Sequence, residues 1–359
     1  MAMTIDIGIV LSILFVSHII LYVRQIGYIG ATGKNKSRRH AQFRACMMFS
    51  SYSLDILWCT LAFFSDQISN VFDFTCVIVL RWLVRRLILG MAQWFMGKPD
   101  RHLIQKTLKE FFLYTVTVFV AVNVAFVFLP ASGTISVFIW VWLVWAVFDT
   151  VGVIAASTVR SFFSGQLRYV QGDGLCKKLT RLCHHIGCPP ISLYIQDTPQ
   201  STDPANARLE GMGPFKRIIV NSSLLNCLEK DEVMSVIAHE LGHQIHHHVL
   251  KYQILKTGLA LCGVLLFAQF STSLAVLVIC APALSTVALV FLNAYIRFCE
   301  YQADNFAAVY GGDGLVFLQA LNKIHAQNAT MQGADPVYNA IYSGHPTPKA
   351  RVANLRKKR

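Results

Sequence analysis

Residues 257–296, TGLALCGVLLFAQFSTSLAVLVICAPALSTVALVFLNAYI, run for 40 positions without a charged side chain. A helix crosses a bilayer with ~20 apolar residues, so this stretch is long enough for two spans, and Ser271-Thr272-Ser273 near its middle marks a turn between them. It predicts a transmembrane helical hairpin. Upstream, Ile5 to Val23, Cys46 to Phe64, Phe74 to Met96, Phe111 to Leu129 and Ile135 to Ala156 are further apolar runs of spanning length. The first has no Lys or Arg before it and no small-residue cleavage site after it, so it reads as a retained anchor. That makes about seven spans. The composition agrees: 54% of the 359 residues are hydrophobic and 14% charged, against ~25% charged in soluble domains, and the mean hydropathy is +0.48.

The chain carries 32 Lys+Arg against 19 Asp+Glu, a net +13. These cations fall between the apolar runs, so the excess reads as membrane orientation and not as a nucleic-acid surface. Arg24 to Arg44 holds six basic residues and no acid, Ser65 to Asp73 holds two Asp and no base, Gly97 to Glu110 holds four basic residues, and Pro130 to Thr134 is uncharged. Because short cytosolic loops are enriched in Lys and Arg, this alternation puts the N-terminus outside or in the lumen. It puts Ser157 to Tyr252 and the tail after Arg297 in the cytosol. The expected organisation is therefore a five-span region over 1–156, a cytosolic segment over 157–252, the hairpin over 253–296 and a C-terminal cytosolic segment over 297–359. Of the ten cysteines, six lie in or beside apolar runs. The other four fall in the cytosolic segment, where thiols stay reduced. Cys183-His184-His185-Ile186-Gly187-Cys188 matches no zinc knuckle, and it reads as a helix end and turn before Pro189-Pro190.

The cytosolic segment predicts a helix around Leu175 to Ile186, a strand over Ile191 to Ile195, and a strand pair near Arg208 and Arg217 to Val220 turning through Gly211-Met212-Gly213-Pro214. Asp231 and Glu232 then open a helix at its positive end. That helix contains His239-Glu240-Leu241-Gly242-His243. Four residues apart on a helix, the two imidazoles leave one face about 6 Å apart and can hold a single Zn²⁺. Glu240 sits beside them, placed to take a proton from a water that such an ion acidifies towards ~7. His246, His247 and His248 follow. On a straight helix they cannot complete the site, since His247 stands about 12 Å along the axis from His239, and they read as interfacial. The third ligand must come from elsewhere, and a carboxylate on another helix is the better choice because no glycine break and later His of the metzincin kind follows. Arg297-Phe298-Cys299-Glu300-Tyr301-Gln302-Ala303-Asp304 supplies one at the end of the last apolar run. Glu300 and Asp304 share a helical face, so Glu300 can ligate while Asp304 orients a ligand histidine.

The combination resembles a family. The H-E-x-x-H helix, the hairpin and Glu-Tyr-Gln-Ala-Asp look like the type I CAAX prenyl proteases, as do Asn206-Ala207-Arg208-Leu209-Glu210-Gly211 before Lys216-Arg217-Ile218-Ile219-Val220, and His345-Pro346 with Arg351. Tyr22-Val23-Arg24-Gln25 in the first span is also family-like. The resemblance runs from about Gly165 to Arg356 and is mostly topological before that. It implies an α-helical polytopic membrane protein whose seven or so transmembrane helices enclose a hydrated chamber, with a cytosolic α+β zinc-protease segment carrying a small β-sheet. One Zn²⁺ would be held by His239, His243 and Glu300, with Glu240 as base and Asp304 behind the ligands. Asn206 and Ala207 would lie along the substrate as an edge strand, and His345 and Arg351 would face the scissile carbonyl or the substrate's terminal carboxylate.

The implied substrate is a prenylated C-terminal CAAX peptide or protein, met at the bilayer of the endoplasmic reticulum or inner nuclear membrane. The chamber would also receive intramembrane charges, with Asp55 and Asp149 facing Arg81, Arg85 and Arg86. Two rivals stand beside this reading. One is a membrane-protein quality-control protease with the same chemistry and unprenylated substrates, disfavoured by five spans ahead of the zinc helix. The other is a transporter or inactive scaffold with a degenerate site, disfavoured by the complete ligand set.

Overall fold

The computed structural model describes residues 2–32, 134–163, 167–170, 174–197, 204–210, 216–269, 274–328 and 334–357, with a few isolated positions besides. Ten helices and four strands are described: α1 (Ala2–Thr32), α2 (Thr134–Phe163), β1 (Leu167–Tyr169), α3 (Gly174–His185), β2 (Ser192–Gln196), β3 (Ala207–Glu210), β4 (Arg217–Asn221), α4 (Ser222–Cys227), α5 (Lys230–Ile245), α6 (His248–Ala268), α7 (Leu274–Tyr310), α8 (Gly314–Gln327), α9 (Pro336–Tyr342) and α10 (Pro348–Lys357). The described residues are mostly helical with one small sheet. The described residues up to Asp149 and from Leu255 to Phe291 form one compact unit, and those from Thr150 to Ile254 and from Leu292 onward form a second.

Among the described residues, Ile135–Ile154 of α2 and His248–Ala268 of α6 are long and apolar enough to cross a membrane. The expected runs Cys46 to Phe64, Phe74 to Met96 and Phe111 to Leu129, with Asp55, Arg81, Arg85 and Arg86, lie outside the described residues. Asp149, expected near those arginines, has Oδ2 2.5 Å from Lys256 Nζ. The predicted hairpin has two helical arms, α6 ending at Ala268 and α7 starting at Leu274. Phe138 packs edge-on to Phe267, 6.3 Å between ring centres, with Leu277 beside them.

The second unit is built on a four-stranded mixed sheet in the order β1-β2-β4-β3. β4 carries Ile218, Ile219 and Val220, all fully buried, as suits β-branched residues in a central strand. It runs parallel to β2 and antiparallel to β3, with Ala207 opposite Val220 and Leu209 opposite Ile218. The sequence reading did not include β1, which pairs antiparallel with β2 through only three residues. Leu175, Leu179 and Leu182 recur at helical spacing on α3 and are buried in the same core as β4 and α5. α5 starts with a capping box between Glu229 and Glu232. Glu232 is itself buried and bonded by Lys323 of α8 at 2.7 Å, which fixes α8 across α5.

β3 is one of the two edge strands of this sheet among the described residues, and its entry is clamped twice. Asn221 Oδ1 accepts from the Asn206 and Leu224 N–H groups at 3.0 Å, while its Nδ2 donates to the Pro204 carbonyl at 2.7 Å. Asn328, at the end of α8, exchanges two hydrogen bonds with the backbone of Ala205, at 2.7 and 3.0 Å.

Candidate active site

α5 presents His239, Glu240 and His243, and α7 approaches it closely where it presents Glu300 and Asp304. Gly242 is the reason the approach is possible: a Cβ there would stand 3.0 Å from Phe306 Cβ and 3.1 Å from Ala303 Cα. Ala238, Ala303 and Ala307 complete a fully buried seam of small residues. At that seam His239 Nε2 and His243 Nε2 lie 3.1 Å apart, and they stand 3.8 and 3.6 Å from the two Glu300 carboxylate oxygens.

Zinc in a tetrahedral shell with bonds of ~2.0–2.1 Å places neighbouring donors about 3.3 Å apart. The observed separations fit that shell, and the donor set of two imidazoles and one carboxylate is zinc chemistry. Among the described residues this is the one group of three such side chains arranged to hold a metal ion. Cys183, by contrast, is buried in the helix that ends as expected before Pro189.

Each of the two histidines is backed on its far side. His239 Nδ1 is 3.0 Å from Asp304 Oδ1, and Phe317 of α8 stacks on the His239 ring at 5.8 Å. Arg351 of α10 donates through Nε to Asp304 Oδ2 at 2.8 Å and through Nη2 to Oδ1, while its Nη1 is 3.6 Å from Glu300. His243 Nδ1 is 2.9 Å from His248 Nδ1. His248 is therefore buried beside the site and not interfacial as expected. The helix break between α5 and α6 turns its ring back.

His345 sits exposed on the loop between α9 and α10, with Nδ1 3.1 Å from Glu300 Oε1. Arg297 holds that loop by donating to the carbonyls of Asn339 and Ser343 at 3.2 and 2.6 Å, and Asn293 holds it by donating to Ile341 at 2.7 Å.

His239, Glu240, His243, Glu300, Phe317, His345 and Arg351 line a cavity of about 330 Å³ that also takes in Ala205, Asn206, Ala207, Leu321, Ile324 and His325. Asn206, Ala207, His239, Glu240, His243, Glu300, His345 and Arg351 all face it, and Asp304 lies directly behind His239. So the nine residues assigned to the site from the sequence come together here. Phe317 and His325 drew no notice in the sequence, His248 was taken as interfacial, and Gln302 stood in the motif with no role of its own. For His248 the only signal was its place within the His cluster.

The electrostatics suit hydrolysis at a metal. Burial pushes the Glu240 carboxyl above the ordinary range and the Glu300 charge adds to this, against His239, the Leu209 backbone and Arg351. A raised carboxyl is what a general base near neutral pH requires. Burial alone would raise Glu300 as well, but the His345 hydrogen bond, His239 and Arg351 hold it far below the usual range and keep it anionic. Burial and the neighbouring His239 push His243 down to about 3, which leaves the ring neutral with a lone pair for a ligand bond.

The model of peptidase family M48 matches residues 174–359, so the chain belongs to that family. It is 27% identical over 263 residues to "Probable CAAX prenyl protease 1" of Schizosaccharomyces pombe, covering 67% of this chain and 54% of that protein. It is 28% identical over 215 residues to "Protease HtpX homolog" of Campylobacter curvus, covering 51% of this chain and 74% of that one. The chain thus spans about half the length of the CAAX prenyl protease relative. The crystal structure of S. mikatae Ste24p has the same fold, with a TM-score of 0.75 over 99% of both chains at 20% identity.

Proposed function

We propose that this chain is an integral-membrane zinc endopeptidase that removes the C-terminal tripeptide from prenylated CAAX proteins, with its site open to the cytosolic face of the endoplasmic reticulum or inner nuclear membrane. The observation that carries the reading is the gathering of His239, His243 and Glu300 with Glu240 in one cavity beside the edge strand β3. Bound by those three residues, zinc supplies the Lewis acid that acidifies water and polarises the scissile carbonyl.

The chain's own residues do the rest. A peptide adds to the edge at Asn206 and Ala207, whose backbone is held extended by Asn221 and Asn328. Glu240 takes the proton from the attacking water and passes it to the leaving amine. Exposed at the cavity, His345 donates to the oxygen that becomes negative or to the substrate's terminal carboxylate. Arg351 adds positive charge at the cavity wall while it holds Asp304. The six basic residues of Arg24 to Arg44 support the cytosolic orientation.

A prenyl chain contributes ~0.8 kcal/mol per buried CH₂, which dominates binding of a short peptide. Purified protein should therefore cleave a farnesylated CAAX peptide at least roughly tenfold more efficiently than its unmodified twin, a difference of ~1.4 kcal/mol. Equal cleavage would favour the quality-control reading. Cleavage of neither by zinc-loaded protein would favour the scaffold.

A further inference from the structure

His248 has no part in the mechanism above, yet it is 4% exposed and its two ring nitrogens both meet partners. On an unbroken helix a side chain five residues after His243 points about 140° away from it. The chain is broken instead: His247 takes φ 54°, the left-handed region that a non-glycine residue rarely adopts, and α6 restarts at His248. The break returns the His248 ring to His243, Nδ1 to Nδ1 at 2.9 Å, while His248 Nε2 lies 3.0 Å from Gln302 Oε1 on α7.

We propose that His248 and Gln302 are positioning residues for the metal, acting as a polar relay that sets the tautomer and orientation of His243. This rests on the reading of His239, His243 and Glu300 as zinc ligands. The hydrogen bonds can run in only one sense if His243 Nε2 is to offer a lone pair to a metal. His243 must then carry its proton on Nδ1 and donate it to His248 Nδ1. That leaves the His248 proton on Nε2, where it is donated to the Gln302 oxygen. Gln302 is an acceptor at the end of the chain, and the strain at His247 is the cost of placing the ring between the two helices. The two ligand histidines are thus held by different chemistries, His239 by the Asp304 anion with Arg351 behind it and His243 by a neutral imidazole with an amide behind it.

The test is the zinc dissociation constant of the full-length protein in detergent, measured by chelator competition. His248→Ala and Gln302→Leu should weaken zinc roughly tenfold or more. Gln302→Glu keeps an acceptor and should stay within about threefold of wild type, whereas Gln302→Lys offers only donors, forces the relay the wrong way and should weaken zinc as His248→Ala does. Thermal unfolding of the zinc-free variants checks the fold, and if His248→Ala does not fold, the Glu and Lys variants at 302 decide. Glu and Lys variants with equal affinity, or a folded His248→Ala within threefold of wild type, would overturn the proposal. Full zinc in His243→Ala would instead remove the ligand reading on which it rests.

Discussion

Arg351 grips Asp304 with two guanidinium nitrogens, Nε 2.8 Å from Oδ2 and Nη2 on Oδ1, and the carboxylate so held lies 3.0 Å from His239 Nδ1. Asp304 is fully buried and Arg351 nearly so. Breaking a buried pair from one side leaves an uncompensated charge, at a cost of ~3–5 kcal/mol. Arg351→Ala should therefore lose about that much stability in zinc-free unfolding, and Arg351→Lys, which lacks the planar fork, should recover only part of it. Unfolding that matches wild type in Arg351→Ala would mean that the pair does not hold the site together. Asp304→Asn should in addition weaken zinc ~10- to 100-fold through its contact with His239.

The seam between α5 and α7 makes a second prediction. Gly242→Ala forces a Cβ against Phe306 and Ala303 at 3.0–3.1 Å. Overpacking of this kind costs ~1–3 kcal/mol, and here it separates the helices that carry His239, His243 and Glu300. Zinc affinity and turnover should both fall. Gly263→Ala, where the added carbon meets nothing within 4 Å, is the control and should leave both unchanged.

Much of this site was legible because its spacing is local. The i, i+4 pairs His239/His243 and Glu300/Asp304 put their side chains on one face of a helix whatever the rest of the fold does, and the acidic start of α5 marked that helix. What was not legible depends on partners far along the chain. Arg351 meets Asp304 across 47 residues, Asn328 meets Ala205 across 123, and no periodicity encodes either. β1 is three residues long with mixed burial, so only its pairing with β2 defines it. His248 was misread because a straight helix was assumed, and the left-handed residue at His247 carries none of the glycine signal that would have announced the break.

A third prediction concerns Cys183. Burial, with the Cys188 thiol beside it, pushes the Cys183 thiol up to about 12. At pH 8 only ~1 in 10⁴ of such thiols is ionised, and the thiolate is the reactive form. Alkylation of native protein at pH 8, read by peptide mass spectrometry, should spare Cys183 and reach it only after denaturation. Native labelling at the rate of the partly exposed Cys176 would contradict this.

The membrane orientation is tested by position. Single reporter cysteines in a cysteine-depleted background should label from the cytosol within Arg24 to Arg44 and only from the lumen within Ser65 to Asp73. The opposite pattern would put the zinc site in the lumen and exclude cytosolic prenylated substrates.

The central claim is that Glu240 acts as the base while His239, His243 and Glu300 hold the metal, and one variant separates these roles. Zinc content and cleavage of a farnesylated CAAX peptide, measured together on Glu240→Gln and wild type, test it most directly. Both should hold one zinc per chain, with turnover lowered at least ~10²-fold in the variant, the scale of a lost general base. Undiminished cleavage by Glu240→Gln with its zinc in place would contradict it.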